Sequence, residues 1–442
     1  MMVRARLHSI HVLLGGVIGG ALVIVLVVLS PWWLLLAAVL LLALWIVTTR
    51  LGRQTWSVTE VGLATIPQRL GAASVVVVGI AGVVGVLVAL LAMAAGFEST
   101  LKLSGSNDTA IVMRGGALTE LNSVLDHDTA VVIAQAPQVL RDVKAEPIAS
   151  PELVLVASLP KRSDGLDANV EIRGVSQRAW SLRPNVHIIA GRSFGPGLRE
   201  LIVGKGAHQQ FAGLNIGSTL KLSGQLWTVV GEFESRDAHD SELWADSDVV
   251  AATYRRGSSV ASVTVRLTGA EAFDAFKAEL ASDPRLKVDV KTTRNYYSEQ
   301  SEQLTRLLRV LGTTIAVIMG VGAVFGALNT MYAAVATRAR EIATLRAIGF
   351  RSAPVVVSVL IETMLLALLG GVVGALLTWV VFDHYTVSTL GQNFTQVVFA
   401  FQVTAPVLWT GLRWALAIGL IGGLFPALRA ARVPVSEGLR EL

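Results

Sequence analysis

The stretch ATRAREIATLRAIGF, residues 336–350, lies between two long apolar runs that carry almost no charge. Arg338, Arg340, Arg346 and Arg351 occur within it or directly after it. Basic residues that flank apolar spans mark the cytoplasmic side of a membrane protein. This stretch therefore decides both the fold class and the orientation of the chain.

The same stretch has the pattern of a short amphipathic helix. Good helix formers predominate, and Ile342, Leu345 and Ile348 recur at helical spacing. Pro354 suits the first turn of the helix that follows. We expect a short helix at the inner membrane surface. On the residues alone, the alternative is a loop whose arginines only anchor it.

The overall composition also indicates a membrane protein. Hydrophobic residues make up 53% of the 442 residues and charged residues 16%, whereas soluble domains carry about 25% charged residues. The net charge of +5 reports cytoplasmic Lys and Arg, so we expect no nucleic-acid partner. The chain has no cysteine, which excludes disulfides and thiol catalysis.

Six spans are predicted from apolar runs close to the length of about 20 residues that crosses a bilayer. They cover residues 10–30, 31–47, 74–93, 315–336, 355–382 and 405–426. The first two form a hairpin joined by SPWW, and a cleaved signal peptide is the alternative for the first. Residues 54–70 have the pattern of a helix that lies along the membrane surface.

Residues 97–294 have a different pattern, of short alternating apolar runs separated by Gly, Asn, Asp and Ser. Such runs predict strands, and they occur in TAVVIA, ELVLVAS, VEIRGV, LKLSGQLWTVVGEF and SVTVRLTG. The stretch GAEAFDAFKAELASDP predicts a helix with Phe273, Phe276 and Leu280 on one face. We therefore expect an α/β domain inserted between the third and fourth spans.

The orientation follows from Lys and Arg at the span ends. Arginines precede the first span and follow the second, fourth and sixth, whereas residues 30–33 and 383–404 carry neither Lys nor Arg. Both termini should be cytoplasmic and the inserted domain extracytoplasmic. The predicted fold class is an α-helical integral membrane protein with an inserted α/β extracytoplasmic domain and six transmembrane helices.

This prediction divides the chain into five parts. They are a transmembrane hairpin (1–50), a cytoplasmic-surface amphipathic helix (51–70), the first core transmembrane helix (71–96), the extracytoplasmic domain (97–297), and a stalk helix with three transmembrane helices and a cytoplasmic tail (298–442).

Three separated segments resemble the MacB/FtsX-type ABC transporter permeases. EIATLRAIGF followed by ETMLLALLGGVVGALL is similar to the third-span signature of that family. The ending GGLFPALRAARVPVSEGLREL is similar to its last span and tail. AGRSFGPGLRELIVGKGAHQQFAGLNIGSTLKLSGQLWTVVGEFES resembles the MacB-like periplasmic core domain. The usual permease of this type has four spans, so the hairpin in residues 1–50 is an addition.

The resemblance implies that the loop after the second core span docks into a groove of a cytoplasmic ABC ATPase. In this chain the implied coupling residues are Arg338, Arg340, Glu341, Leu345, Arg346, Ile348 and Gly349. Glu341, Arg340 and Arg346 would make polar contacts, while Leu345 and Ile348 would fill the groove. Further implied partners are a second permease copy, a periplasmic adaptor or membrane-fusion protein, and membrane lipids.

The P-loop pattern G-x-x-x-x-G-K-[ST] is absent from these 442 residues. We therefore expect a transport subunit that is not an enzyme, with no cofactor of its own and with ATP and magnesium bound by the partner ATPase. No histidine pair has zinc-ligand spacing. The acidic stretch HDSELWADSD, residues 239–248, is interpreted as a solvated loop and not as a calcium site, so no metal or catalytic residue is assigned.

Two further sets of residues are singled out inside the spans. Glu362 lies about two helical turns into the fifth span, where an unpaired carboxylate is costly, so we expect a polar contact near the inner boundary. Gly322 with Gly326, and Gly370 with Gly374, have small-xxx-small spacing, which allows close helix packing. The family implies a dimer, so one such face should be the dimer seam.

Three functions compete at this stage. The first is the permease subunit of an ABC exporter or extractor in the bacterial cytoplasmic (inner) membrane, acting by mechanotransmission. The second is an FtsX-like regulator that activates an extracytoplasmic cell-wall hydrolase. The third, an ion-driven secondary transporter, is disfavoured because the spans show no inverted repeat and almost no acidic residue.

Overall fold

A computed structural model describes residues 26–391 and 393–432, which divide into two compact units. The first unit takes the described residues of Met1–Ala92, Leu308–Asp383 and Gln402–Leu442, and the second takes Met93–Leu307 and His384–Phe401. Most of the predicted first span, and residues 433–442 of the predicted tail, lie outside the described residues.

Helices make up most of the first unit, and two of them also contribute residues to the second. In chain order the helices are α1 (Trp32–Thr48), α2 (Arg50–Ala64), α3 (Leu70–Leu103), α4 (His127–Ala134), α5 (Ala179–Leu182), α6 (Lys205–Gln210), α7 (Ser247–Thr253), α8 (Phe273–Ser282), α9 (Thr293–Thr337), α10 (Ala339–Ala347), α11 (Ser352–Phe382) and α12 (Ala405–Arg432).

Four described segments are long and apolar enough to cross a membrane, namely Ile66–Leu103, Thr293–Thr337, Ser352–Phe382 and Ala405–Arg432. They contain the predicted third to sixth spans. The pair α1 and α2, bent by 101°, is a fifth candidate as one broken span. The predicted second span corresponds to α1, which has only 17 residues. The described residues therefore do not confirm a count of six.

Helix α2 forms where the sequence predicted an amphipathic helix, but it begins at Arg50 and gives way to a 3-10 turn, Ile66–Arg69. The Thr49 hydroxyl caps it by accepting a hydrogen bond from the Gly52 amide at 2.8 Å. Its buried face consists of small and β-branched residues that pack closely: Gly52, Thr55, Val58, Thr59 and Gly62.

The two glycine pairs that the sequence singled out differ in their surroundings. A Cβ at Gly370 would lie 2.8 Å from the Val77 carbonyl oxygen, and one at Gly374 would collide with the Ala81 carbonyl. Both glycines therefore let α11 approach α3 within the first unit. Nothing lies within 4 Å of a Cβ at Gly322 or Gly326, so that face of α9 is open in the described chain.

A ten-stranded sheet forms the framework of the second unit. Its strands are β1 (Thr109–Arg114), β2 (Ala149–Pro160), β3 (Asp167–Val175), β4 (His187–Gly191), β5 (Glu200–Gly204), β6 (Thr219–Leu222), β7 (Gln225–Glu234), β8 (Glu242–Asp246), β9 (Ser262–Arg266) and β10 (Val288–Thr292). Their order is β10-β1-β9-β2-β3-β8-β5-β7-β4, with β6 beside β7. Two of these pairs, β3 with β8 and β5 with β7, are parallel.

Strand β2 joins two hydrophobic cores. Its first residues pair with β9, and from Leu153 onward it pairs with β3. One core packs β1, β9 and β10 against α4 and α8, and it includes Phe276 and Leu280 of the predicted amphipathic helix. The other packs β3, β5, β7 and β8 around Trp227. The predicted helical face over residues 273–280 is thus confirmed.

Two local predictions are wrong. TAVVIA lies in helix α4 and not in a strand, because the Asp126 carboxylate caps the Thr129 amide at 2.7 Å and the helix buries Ala130 and Ile133. That cap and packing outweigh the strand preference of the β-branched residues. HDSELWADSD is not a solvated loop, since it covers most of a 3-10 turn, Ala238–Ser241, and strand β8, both largely buried.

The sequence also gave no sign of a hairpin between α11 and α12. Strands β11 (Thr386–Leu390) and β12 (Gln396–Ala400) pair antiparallel and belong to the second unit. Phe399 of β12 packs edge-on against Phe97, with ring centroids 5.4 Å apart. The apolar helices and the separate α/β unit agree with the predicted membrane protein that carries an extracytoplasmic domain.

Candidate functional site

Helix α10 (Ala339–Ala347) is a short helix within the basic stretch 336–350 that separates the fourth and fifth predicted spans. It starts after Arg338 and ends in a Schellman motif. In this motif the Phe350 amide donates to the Leu345 carbonyl at 3.1 Å and the Gly349 amide donates to the Arg346 carbonyl at 3.2 Å. Gly349 has φ of 105°, a conformation that favours glycine. Backbone hydrogen bonds therefore fix the C-terminal end of this helix.

One face of α10 is buried and the other is exposed. Ile342 and Ala343 are buried in the first unit. Ile348 is 69% exposed, and Arg340 and Glu341 are also exposed. The remaining two predicted contact residues, Leu345 and Arg346, are half-buried. The exposed face thus combines an apolar side chain with both signs of charge.

Arg338 takes a different position from the other predicted coupling residues. Its Nε donates to Glu341 Oε2 at 3.2 Å, and its Nη1 donates to Glu362 Oε2 at 3.4 Å. Arg69 pairs with the other oxygen of the same Glu362 carboxylate. The Glu362 side chain is only 4% exposed. Arg338 is therefore an internal link between α10 and α11 rather than a surface contact.

Gly62 of α2 makes room for this three-residue cluster. A Cβ at Gly62 would lie 3.1 Å from Arg338 Nη1 and 3.2 Å from Glu362 Oε2. Arg69, at the end of the 3-10 turn, also donates to the Thr65 hydroxyl at 3.4 Å. The Arg338–Glu362–Arg69 cluster thus connects α2, the start of α10 and α11 in one polar network.

The sequence predicts a polar contact for Glu362, but it does not identify Arg69 or Gly62 as neighbours of that side chain. Arg69 is 293 residues away from Glu362 along the chain. The available signal was chemical, because a carboxylate inside a span needs a basic partner and Arg69 is the last cation before the third span. Gly62 offered no such signal, since its role depends on the crossing of the helices.

A second polar network lies buried in the second unit, around Arg173. The Arg173 side chain is 2% exposed and donates to four carboxylates. The nitrogen–oxygen distances are 2.9 Å to Glu120, 3.0 Å to Glu152, 2.8 Å to Glu171 and 2.9 Å to Glu242. The network ties β2, β3 and β8 to the turn at Glu120, so it acts first as a structural joint.

Arg183 and His239 extend this network. Arg183 holds Glu152 with two bonds, of 2.6 and 2.8 Å, and its Nε lies 3.2 Å from His239 Nε2. His239 Nδ1 lies 2.9 Å from Asp237, and although burial opposes it, the charge and hydrogen bond of His239 lower the pKa of Asp237 to about 2. Carboxylates therefore outnumber the arginines in a space closed to solvent.

The excess of buried carboxylates changes the pKa of Glu171. Burial, and then the neighbouring Glu242 carboxylate, raise the pKa of Glu171 to about 7. The Asn393 amide in the turn between β11 and β12 donates to Glu171 Oε2 at 3.0 Å. Among the described residues, no group of His, Asp and Glu is placed to hold a metal ion. Burial and the neighbouring carboxylates thus favour the protonated form of Glu171.

Comparison with known families matches two parts of the chain. Residues 71–283 match the family described as the MacB-like periplasmic core domain. Residues 313–435 match the family described as the FtsX-like permease C-terminal domain. The first match covers strands β1 to β9 of the second unit, and the second contains α10 and Glu362. The two matches follow one another along the chain without overlap.

Curated relatives agree with these matches. The macrolide export ATP-binding/permease protein MacB of Photorhabdus laumondii is 29% identical over 233 residues, which are 51% of this chain and 35% of that protein. The probable syringafactin export ATP-binding/permease protein SyfD of Pseudomonas syringae pv. tomato is 24% identical over 306 residues, 65% of this chain and 44% of that protein. The chain thus spans less than half the length of these relatives.

Among solved structures, the periplasmic region of MacB from Actinobacillus actinomycetemcomitans covers 42% of this chain and 90% of its own, at 15% identity and a TM-score of 0.34. The extracellular domain of the noncanonic ABC-type transporter YknZ from Gram-positive bacteria covers 42% of this chain and all of its own, at 16% identity and a TM-score of 0.32.

Proposed function

Because this chain belongs to the MacB/FtsX-type ABC transporter permeases, we propose that it is the membrane subunit of a transporter whose ATP is hydrolysed by a separate cytoplasmic subunit. Hydrolysis moves α10, and the movement passes through the membrane helices to the extracytoplasmic domain. That domain then exports or extracts a substrate by mechanotransmission. ATP and magnesium are bound by the partner ATPase and not by this chain.

The observation that carries this proposal is the ion pair between Arg338 and Glu362. A partner that pushes on the exposed face of α10 displaces Arg338, because both belong to one short ordered segment. Glu362 is held from both sides, by Arg338 and by Arg69. A displacement at α10 is therefore passed directly to α11 and to the turn that precedes α3.

Two long helices give the displacement a further route. Helix α3 continues without a break from Leu70 to Leu103, and α9 from Thr293 to Thr337. Every residue inside such a helix is linked by backbone hydrogen bonds to residues four positions away. A displacement at one end of α3 or α9 is therefore transmitted along it rather than absorbed by a flexible loop.

The proposal includes an assembly and an orientation. The chain lies in the bacterial cytoplasmic membrane with six spans, both termini in the cytoplasm and the sheet unit outside. Two copies pair, and the open face of α9 at Gly322 and Gly326 supports a role as their seam. A periplasmic adaptor is the further partner expected of an exporter.

Co-purification tests this function. The full chain is isolated in mild detergent, and the chains that accompany it are identified by mass spectrometry. We expect a P-loop ATPase, whose hydrolysis rate changes when the complex is placed in proteoliposomes. Leu345→Asp and Glu341→Lys should abolish that change without preventing membrane insertion. Full ATP-dependent activity in both variants would refute the docking role. If the only co-purifying chain were a secreted cell-wall hydrolase, the alternative function, an FtsX-like regulator of that hydrolase, would be favoured.

A further inference from the structure

Arg413 is a charged residue inside an apolar helix, apart from α10 and its ion pairs. It lies in the first third of α12, about 12 Å along the axis from Ala405. This helix is one of the segments that are long and apolar enough to cross a membrane. An arginine at such a depth is costly unless a partner or the lipid headgroups offset its charge. The proposed function gives this side chain no role.

Within the described residues, Arg413 bonds to two neutral acceptors and to no carboxylate. Its Nη1 donates to the Ser30 carbonyl at 3.4 Å, and its Nη2 donates to the Thr410 hydroxyl at 3.3 Å. Hydrogen bonds from a guanidinium to a charged acceptor are shorter, about 2.7–2.9 Å. Ser30 follows helical residues 26–29, and a helix end supplies only about half a negative charge. At least half of the positive charge of Arg413 is therefore not compensated by these contacts.

The neighbouring segments carry no carboxylate that could complete the pair. The first acidic residue of the sequence is Glu60, so neither the turn at Ser30 nor α1 contains one. Helix α12 has no Asp or Glu either. Asp383, at the end of α11, accepts a hydrogen bond from the Val403 amide at 3.2 Å instead. The missing negative charge must come from outside the chain.

Two tryptophans mark the membrane boundary at the level of this arginine. Ser30 leads through Pro31 into α1, whose first residues, Trp32 and Trp33, are 63% and 55% exposed. Exposed tryptophans are enriched where a bilayer meets water, at the depth of the lipid headgroups. Because Arg413 bonds to the Ser30 carbonyl, its guanidinium reaches this boundary although its backbone lies deeper in the membrane.

Only one edge of the guanidinium can receive a ligand. Arg413 Nε is enclosed by the protein and has no hydrogen-bond partner among the described residues. The residue as a whole is nevertheless partly exposed, so a ligand approaches through Nη1 and Nη2. The donors on these two nitrogens have a fixed geometry that matches two oxygens of a phosphate. The charge, the depth and the geometry thus point to the same kind of ligand.

We propose that Arg413 binds the phosphate of an anionic phospholipid from the leaflet in which α12 begins. The phosphate supplies the missing negative charge, and the acyl chains lie in the bilayer beside α12. Inorganic phosphate offers the same charge but has no apolar part to hold it at this depth. A diacylglycerol has the acyl chains but offers Arg413 only neutral acceptors.

Native mass spectrometry of the full chain in mild detergent, with dioctanoyl phosphatidylglycerol added, tests the proposal. We expect saturable binding of this lipid, and at least about tenfold weaker binding of dioctanoyl glycerol and of inorganic phosphate. Arg413→Gln should weaken binding of the phosphatidylglycerol by a similar factor. The matched control is Arg306→Gln, which removes a largely exposed arginine of α9 and should leave the affinity unchanged.

Three results would overturn the assignment. They are equal affinity for dioctanoyl glycerol, equal affinity for inorganic phosphate, and unchanged affinity for the phosphatidylglycerol in Arg413→Gln. The first would show that the phosphate is not recognised, and the second that the ligand is not a lipid.

Arg413→Lys separates lipid binding from a purely structural role. Lysine keeps the positive charge but replaces the planar pair of nitrogens with a single ammonium group. We expect the folded variant to bind the phosphatidylglycerol severalfold more weakly than the wild type, and the lipid should raise its melting temperature by less. A structural role alone leaves both readouts unchanged. That result would contradict the proposal, even if Arg413→Gln failed to fold.

Discussion

Arg338 and Glu362 are 24 residues apart in the sequence, and their side chains meet at 3.4 Å between Nη1 and Oε2. One residue stands at the head of α10, and the other lies inside α11. Arg338 also bonds to Glu341 within α10. The stretch that first suggested a docking segment is therefore fastened to the membrane helices by its own first arginine.

Glu362→Gln should weaken both stability and coupling. Among the described residues, the substitution removes the counter-charge of Arg69 and leaves Arg338 paired only with the exposed Glu341, and breaking a buried pair from one side costs about 3–5 kcal/mol. Because glutamine can still accept hydrogen bonds, we expect a loss at the lower end of that range. Thermal denaturation in detergent and ATPase stimulation in the reconstituted complex measure the two effects.

The matched control is Glu302→Gln, since Glu302 pairs with Arg306 one helical turn away and both side chains are largely exposed. Exposed pairs of this kind contribute about 0–1 kcal/mol, so neither readout should move. Equal melting temperatures for Glu362→Gln and the wild type would show that the cluster does not hold α10.

Ile348→Asp should separate docking from folding. Ile348 is exposed, so a charge there changes stability by no more than about 0.5 kcal/mol. It should nevertheless remove the ATPase from the purified complex, because the apolar anchor of the docking face is lost. Ile342→Asp places the same charge on the buried side of α10 and should lower the melting temperature. Retention of the ATPase by Ile348→Asp would argue against the proposed face.

Alanine substitutions in the two glycine pairs should have opposite effects on stability. Gly374→Ala places a methyl group against the Ala81 carbonyl, and overpacking of this kind costs about 1–3 kcal/mol. Gly322→Ala has open space around it and should keep or raise the stability of one copy, by up to about 1 kcal/mol. If the α9 face is the seam, Gly322→Ala should weaken dimerisation measured by light scattering in detergent. An unchanged dimer would remove that face from the assembly.

Glu171 makes the second unit sensitive to pH. Burial and the Glu242 carboxylate raise the pKa of Glu171 from 4.5 to about 7 in the folded state. The folded protein therefore holds this proton more tightly than the unfolded chain. The resulting stabilisation is complete below pH 4.5 and is lost as the pH rises towards about 7.

Glu171→Gln isolates this contribution, because it keeps a neutral side chain at every pH. The pKa of His239 is also raised, by Asp237 and Glu242 against the effect of burial, and it too lowers stability as the pH rises. The difference between wild type and variant cancels that shared part. Denaturation followed by tryptophan fluorescence should show the wild type losing stability relative to Glu171→Gln from about pH 4.5 to 7. A constant difference would contradict the assignment.

Much of the membrane unit could be predicted, because long apolar runs have few alternatives. The runs that became α3, α9, α11 and α12 can each be found from hydropathy, although α3 continues to Leu103 and α9 begins at Thr293, well outside the predicted spans 74–93 and 315–336. Helix α4 was missed because its β-branched residues resemble a strand, and the Asp126 cap that decides otherwise is a single side chain. The strand-like pattern of this stretch is overridden by one capping hydrogen bond and by the burial of Ala130 and Ile133.

The polar networks could not be predicted, because their members meet only in the folded chain. Arg173 and Glu120 are 53 residues apart, and Arg69 and Glu362 are 293 residues apart. The β11–β12 hairpin could not be predicted for a related reason, since its strands pair with each other but pack against residues far away along the chain, such as Phe97. The resemblance to a family predicts the docking segment. Only the structure shows that, within this segment, Arg338 is paired with Glu362 whereas Ile348 is exposed.

Site-specific cross-linking at Ile348 tests the central claim most directly. A photoreactive amino acid is placed at this position in cells, and mass spectrometry identifies the chain that it captures. We predict an adduct with a separate P-loop ATPase, and none from the same amino acid at Leu118, which is also well exposed but lies in the second unit. An ATPase captured from Leu118 and not from Ile348 would contradict the account.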